Sequence, residues 1–428
     1  MKKLNIAIVG LGNIGSYLFK YLIKNKDILS KKNNCTPNIS YISARNRGKK
    51  RGLKINKKKW LNNYLDATKK KDVDLIIELI GGAEGPAKKL VFSALRNNKH
   101  VITANKALIA KYGDELSLIA EKNKVNLEFE ASVCGGVPII RSLKEGLIAN
   151  KIKKVFGIFN GTSNYILSSM DKMNKDFDEV LKKAKRLGYA ESNPSADLNG
   201  DDVSAKLKIL SSLCFNSFLN NNVHVEGIKE INKIDIDNAN ILGYKIKLLG
   251  VAEQIDNKIY QRVHPSLIKK NSYVAGVDGV LNAVLIEGSP VGQSVIQGEG
   301  AGPAATTSAL VSDISSILRG NVKFPFSISN KERKNLKFFD ITERFFSAYL
   351  RFEVIDRSGV LSNITNIFSK NNVSIKRLIQ TPSKNSKRSS IVIITHNSKD
   401  KFLNKIIKLI SKKKYILKKP VLIRIDES

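Results

Sequence analysis

The stretch Leu4-Asn5-Ile6-Ala7-Ile8-Val9-Gly10-Leu11-Gly12-Asn13-Ile14-Gly15 decides the fold. Residues 4–9 are apolar and β-branched, as in a buried strand, and Gly10, Gly12 and Gly15 follow at once. Beyond them Leu18, Tyr21, Leu22 and Ile23 recur at helical spacing as far as residue 26. The order is strand, glycine turn, helix. Each glycine then has a reason. The first allows a tight turn, the second lets backbone approach a pyrophosphate, and the third permits close helix packing. The phosphates rest on the helix N-terminus. Glycine spacing alone is a weak signal. Its position between a first strand and a first helix makes Gly10, Leu11, Gly12, Asn13, Ile14 and Gly15 a candidate dinucleotide loop.

Outward from this loop the pattern alternates. Strands are expected over 39–44, 74–80, 100–103 and 125–129, with helices over 86–97 and 107–122. That alternation predicts an α/β fold with a Rossmann-type, doubly wound parallel sheet for residues 1–135. Glycine turns at 134–136 and 157–162 then break a mixed α+β region, assigned to a second domain over 136–320. Its last helix, 308–318, is of the kind that can return to the first domain. Residues 321–346 are polar and basic around Pro325 and are taken as a linker. From 347 to 428 the order is strand, helix, strand, strand, helix, strand, which is the ferredoxin-like small fold.

Composition excludes several classes. With 42% hydrophobic residues the chain is long enough for a real core, and low-complexity or collagenous folds are out. No run of about 18 apolar residues is present to span a membrane. The apolar stretch after Met1-Lys2-Lys3 ends in glycines without a small-residue cleavage site, so it reads as a strand and not a signal peptide. Cys35, Cys134 and Cys214 are odd in number and widely spaced, which suits a reduced cytoplasmic protein. The 73 Lys+Arg against 38 Asp+Glu leave a charge of +35, but the lysines are scattered in short clusters without interleaved aromatics. A solvated basic coat is the expectation, with neither nucleic acid nor membrane as partner.

Several residues stand out as chemistry. The second strand ends in Ser43-Ala44-Arg45-Asn46-Arg47-Gly48-Lys49, without the carboxylate that usually takes the ribose hydroxyls of NAD. Arg45, with Arg47 or Lys49, can instead take a 2′-phosphate, so NADP is favoured and NAD is the alternative. Asp202 and Lys206 are four apart at the start of a helix that turns apolar at Leu207, Ile209, Leu210 and Leu213. Such a pair is usually a surface ion pair. Beside a buried helix it can hold a lysine that protonates a carbonyl oxygen. Lys106 follows a strand end, where ligand crevices form in parallel sheets. Glu130 leads into Ala131-Ser132-Val133-Cys134-Gly135-Gly136-Val137, either a simple turn or an oxygen-rich site for a hard cation. Cys134 lacks a histidine partner, and the four histidines form no zinc pattern.

These residues together resemble homoserine dehydrogenase of the form with a C-terminal ACT domain. The resemblance runs nearly end to end, through Gly81-Gly82, Thr103-Ala104-Asn105-Lys106-Ala107-Leu108, Asn160-Gly161-Thr162-Ser163-Asn164, Gly188-Tyr189-Ala190-Glu191, Asp197-Leu198-Asn199-Gly200-Asp201-Asp202 and Gly298-Glu299-Gly300-Ala301-Gly302. It implies interconversion of L-aspartate 4-semialdehyde and L-homoserine with a nicotinamide cofactor, in threonine, methionine and isoleucine biosynthesis. Lys206 matches the family's proton donor and Lys106 a second lysine of the pocket. Glu191 matches the ligand of the substrate's amino group, while Thr162, Tyr189, Asp197 and Asp202 match positions lining or ordering the pocket. Glu130 with the backbone carbonyls of Val133, Gly135 and Val137 matches a sodium site, and Gly302 a turn that returns to the cofactor. The resemblance further implies a homodimer or higher homo-oligomer built on the central domain, and threonine as effector of the ACT domain, whose turn carries Ser358 where proline is common.

Two other readings compete. One is an amino-acid-sensing regulatory protein that binds nucleic acid, opposed by the lysine and carboxylate constellation and the lack of a helix-turn-helix signal. The other is a dehydrogenase for a different small aldehyde.

Overall fold

The computed structural model describes residues 2–220, 222–320, 323–382 and 387–426. The first sheet contains β1 (Lys2–Val9), β2 (Cys35–Ser43), β3 (Leu75–Glu78), β4 (His100–Thr103) and β5 (Leu127–Glu128). All pairings are parallel and the order is β2-β1-β3-β4-β5. Ile6, Ala7, Ile8 and Val9 are all buried, because both faces of a parallel sheet are covered. Helices α1 (Asn13–Lys24), α2 (Lys26–Asn33), α3 (Pro86–Arg96) and α4 (Lys106–Lys122) supply the cover. After β1 the chain goes to one side for β2 and to the other for β3. The carboxyl ends of β1 and β3 thus form a topological switch point, the place where such sheets hold ligands.

A second sheet follows. Its strands are β6 (Lys151–Ile158), β7 (Tyr244–Ile255), β8 (Lys258–Lys269), β9 (Leu281–Ser289) and β10 (Gly292–Glu299). One face carries α5 (Gly161–Met173), α6 (Asp201–Phe215) and α7 (Lys233–Ile241). The chain then turns back. Helix α8 (Pro303–Leu318) packs Leu310 and Ile314 into the cluster that holds Leu18 and Leu22 of α1. Asp313 on α8 accepts hydrogen bonds from the Glu130 amide at 3.0 Å and from the Arg141 guanidinium at 2.9 Å.

The long strands of the C-terminal region are β11 (Phe345–Ile355), β12 (Ile375–Pro382), β13 (Arg388–Thr395) and β14 (Val421–Asp426), with α9 (Val360–Lys370) and α10 (Asp400–Ile410) between them. Their order β14-β11-β13-β12 is ferredoxin-like, and Phe352, Phe368, Leu403 and Ile406 fill the core between strands and helices. This sheet is continuous with the second one. Arg424, Ile425 and Asp426 of β14 pair in parallel with Ser266, Leu267 and Ile268 of β8. Two ion pairs cross the seam, buried Arg351 of β11 with buried Asp235 of α7 at 2.7 Å and buried Arg424 of β14 with the half-buried Glu226 at 2.9 Å, while Asp400 of α10 holds Arg424 at 2.6 Å from within the C-terminal domain.

The segment taken as a linker is packed where it is described, while residues 321 and 322 lie outside the described residues. Phe326 is buried against Phe129, and Arg333 sits between Phe218 and Phe326 while pairing with Asp114 at 2.7 Å. It connects the domains as a strap lying on the protein. Among the described residues no helix is long and apolar enough to cross a membrane.

Candidate active site

The glycine loop sits at the carboxyl end of β1. Gly10 has φ +108° and a Cβ there would stand 2.4 Å from the Leu79 carbonyl oxygen. A Cβ on Gly15 would stand 2.0 Å from the Gly10 carbonyl oxygen, so α1 can seat this close only on glycine. Gly12 differs. Nothing lies within 4 Å of a Cβ there, and the space above the start of α1 is open. Helix α1 has no side-chain cap and no acidic residue in its first turn, so its first amides are free for an anion. A pyrophosphate fits this cradle.

Arg45, Arg47 and Lys49 stand exposed beyond β2, and Arg45 makes no ion pair among the described residues. Arg47 lies over the Trp60 ring at 5.3 Å. Sequence reasoning missed Arg51. Its Nε donates to the Leu11 carbonyl at 2.9 Å, and its Nη atoms donate to the carbonyls of Lys49 and Asn46. One guanidinium thus ties the basic loop to the glycine loop.

At the end of β3, Glu78 is fully buried and was also missed. Its carboxylate accepts from the amides of Ile80 and Gly81 at 2.7 and 2.9 Å and from the Thr103 hydroxyl at 2.5 Å. The Asn105 side chain donates to the Gly82 carbonyl at 2.7 Å and accepts from the Leu108 amide at 3.1 Å, capping α4. These bonds fix the first residue of α4, which is Lys106. A cation at a helix N-terminus opposes the helix dipole and needs a partner.

That partner is Asp202, in the first turn of α6. Its carboxylate lies 2.8 Å from Lys106 Nζ and 2.7 Å from Lys206 Nζ. Asp202 and Lys206 are buried, whereas the Lys106 side chain is 42% exposed at the mouth of the crevice. Burial alone pushes the Asp202 carboxyl up, but Lys206 and Lys106 overcome it and hold it well below the usual carboxylate range. Burial pulls Lys206 down, and Asp202 more than reverses that, so the amine is raised above its ordinary value. Lys206 also donates to the Phe159 carbonyl at 2.6 Å. An ammonium has three donors, and two are used here.

Asn160, another residue whose role sequence left unread, joins the carboxylates. Its amide nitrogen donates to Asp197 at 2.7 Å and to Asp202 at 2.9 Å, while its oxygen caps α5 at the Ser163 amide. An asparagine before Gly-Thr-Ser signals a helix cap; its carboxylate partners are 37 and 42 residues away and gave no local sign. Thr162 donates to the Tyr189 carbonyl at 2.7 Å, and the Tyr165 and Tyr189 rings lie 4.9 Å apart. Glu191 follows in the same turn, exposed and without an ion pair among the described residues.

Glu130 lies apart from this cluster in sequence but near it through the turn at Cys134. Its carboxylate accepts from the amides of Ile140 and Arg141 at 2.9 and 2.6 Å. Burial raises it to about 7 despite those amides. Among the described residues no three His, Cys, Asp or Glu side chains converge as a metal site. A cation held at Val133, Gly135 and Val137 would therefore be bound by backbone carbonyls, which suits a hard ion. Cys134 is buried with φ +56°, and burial pushes its thiol up to about 11, which argues against a nucleophile. The turn 134–136 abuts Gly300, and Gly302, at φ +110°, leads from there into α8.

The chain is similar to known proteins over its whole length. A family model described as homoserine dehydrogenase matches residues 138–315, its NAD-binding domain matches 10–130, and the ACT domain matches 348–412. A homoserine dehydrogenase of Neisseria gonorrhoeae is 38% identical over 435 residues, covering 100% of this chain and 99% of that protein. One from Bacillus subtilis is 36% identical, covering 94% and 93%. A crystal structure of a homoserine dehydrogenase from Thiobacillus denitrificans superposes with a TM-score of 0.92 at 36% identity, over 100% of this chain and 99% of that one. A hyperthermophilic archaeal homoserine dehydrogenase in complex with NADPH gives 0.64 at 25% identity, over 73% of this chain and 97% of that one.

Proposed function

The chain belongs to the homoserine dehydrogenase family, and from that premise we propose how its residues carry out the interconversion of L-aspartate 4-semialdehyde and L-homoserine. The observation that carries the proposal is one buried carboxylate, Asp202, shared by two ammonium groups, Lys206 and Lys106. The remaining N–H of Lys206 meets the substrate oxygen. The loop from Gly10 to Gly15 would hold the nicotinamide coenzyme, which would supply or accept the hydride at the carbon bearing that oxygen. As charge grows on the oxygen, Lys206 stabilises it and transfers a proton to it; in the reverse direction Lys206 receives that proton. Asp202 keeps Lys206 charged and oriented, and Asn160 keeps Asp202 oriented. Lys106 offers a second cation for the substrate's carboxylate or oxygen, and Glu191, beside Tyr189 and Thr162, faces its ammonium.

The free guanidinium of Arg45, on a loop pinned by Arg51, supports NADP over NAD. Sodium is proposed at Glu130 and the backbone carbonyls of Val133, Gly135 and Val137. The exposed edge strand β10, with Val295 41% exposed, supports pairing of central domains in a homodimer. A cavity of about 270 Å³ beside Arg357, Ser358, Gly359 and Gln380 supports threonine as an effector of the ACT domain. The pathway is that of threonine, methionine and isoleucine, and three buried free thiols fit a cytoplasmic setting.

The test is formation of reduced coenzyme by purified protein with L-homoserine and, in parallel, with 4-hydroxybutyrate, which lacks only the amino group. Turnover of homoserine with little of the analogue supports the proposal. Equal turnover of both points to a dehydrogenase for a different small aldehyde.

A further inference from the structure

Away from the crevice, a polar cavity opens at the seam between the second sheet and the C-terminal strands. Lys154 is the register partner of Glu253, and Glu253 of Tyr260, so the three side chains leave one face of β6, β7 and β8 in a row. Phe156, Val251 and Arg262 form the next row. Over this face lie Phe345, Phe346 and Ser347 of β11 and Asp426 of β14, walling a cavity of about 160 Å³ that opens to solvent on one side. Its floor is deeply buried, with Tyr260 at 1% and Arg262 at 4% exposure.

Both floor residues carry an orphan donor. The Tyr260 hydroxyl and Arg262 Nε have no hydrogen-bond partner among the described residues, although the rest of the Arg262 guanidinium binds His264, Ser266 and Asp426. Buried donors without partners are uncommon in folded proteins and call for a ligand. Burial pushes the tyrosine up to about 12 against the pull of Arg262, Arg344 and Arg424, so it stays a donor at neutral pH. The carboxylates of the wall are already matched, Asp426 by Arg262 and Glu253 by Arg344. Lys154 is left over: it forms no ion pair among the described residues and lies over the Phe156 ring at 4.3 Å. Two donors without partners among the described residues and one cation without an ion pair, around a polar cavity open on one side, fit a small anion with planar acceptor oxygens.

We propose that this seam cavity binds a small hydroxy- or amino-carboxylate, its carboxylate on Tyr260 and Arg262 Nε with Lys154 as counter-charge. The second polar group of the ligand has Glu253 and Asp426 within the same wall. Because the walls come from both the central sheet and the C-terminal strands, a bound ligand ties the two domains together. The site is separate from the cavity at the 356–361 turn.

The experiment uses the full chain without coenzyme and two probes, L-lactate and L-serine, followed by calorimetric titration and by thermal unfolding. Wild type is expected to bind one equivalent of a probe saturably and to gain Tm with it. Tyr260→Phe and Lys154→Ala are each expected to weaken binding by about tenfold or more. Arg357→Ala, in the other cavity, is expected to leave binding unchanged. Tyr260→Phe is also expected to raise the Tm of the free protein, because it removes an unpaired buried hydroxyl. Absence of saturable binding by either probe overturns the proposal and assigns the orphan donors to water. Binding that survives Tyr260→Phe at full strength overturns it as well.

Discussion

Replacing Asp202 by Asn removes one negative charge from between two ammonium groups while keeping the side chain's shape. Breaking a buried ion pair by losing one partner costs about 3–5 kcal/mol, because the other charge is left behind in a poor solvent. Lys206 is the charge left behind here. Lys106, with its side chain 42% exposed, rehydrates and adds little. The pH dependence identifies the cause. In the wild type Lys206 is raised above its ordinary value of 10.5, so its contribution to stability is complete below that value and is lost only as pH climbs through the higher folded value. In Asp202→Asn the largest upward pull is gone, leaving burial against the weaker effects of Cys134 and Asp197, and the folded value is expected to fall below the unfolded one. The unfolded chain then binds more protons in the interval, and stability rises with pH over it. The gap between wild type and variant should therefore narrow steadily from neutral pH towards about pH 10. Urea denaturation at a series of pH values measures it. A gap that stays constant with pH, or one below about 1 kcal/mol at neutral pH, would refute the reasoning.

Other substitutions separate the remaining parts. Gly12→Ala, with no atom near its Cβ, should leave Tm unchanged and raise the KM for coenzyme; Gly15→Ala, with its Cβ 2.0 Å from a carbonyl oxygen, should lower stability by about 1–3 kcal/mol as well. Arg45→Glu should cut kcat/KM for NADP by about a hundredfold and leave that for NAD nearly unchanged, read from initial rates with each coenzyme. Glu78→Gln keeps one oxygen for the two amides but sets an NH2 against the Thr103 hydroxyl in a fully buried position, so calorimetry should show a loss of about 1–3 kcal/mol, and the loosened start of α4 should raise the KM for homoserine.

Much of the fold was legible because it rests on local periodicity. Strand, glycine loop and helix at residues 4–26, and the strand and helix order after residue 347, each declare themselves within a dozen residues. Helix α2 did not, since Lys26–Asn33 is polar on most positions and is ended by Asn34 in a left-handed conformation. The joining of β14 to β8 had no local signal either, because Arg424 finds Glu226 at a separation of 198 residues. The strap around Arg333 reads as a polar linker for the same reason: its partners Asp114 and Phe218 are far away in sequence. In the site, the charged pair at Asp202 and Lys206 was visible as an i, i+4 spacing. Glu78, Arg51 and Asn160 were not, since their roles are bonds to backbone or to side chains brought close only by folding.

The most direct test of the mechanism is kcat for L-homoserine oxidation by Lys206→Ala at saturating coenzyme, with circular dichroism to confirm an intact fold. A loss of about 10²–10⁴-fold relative to wild type is expected, the contribution of a positioned proton donor. Wild-type turnover in the variant would contradict it and remove Lys206 from the proton's path.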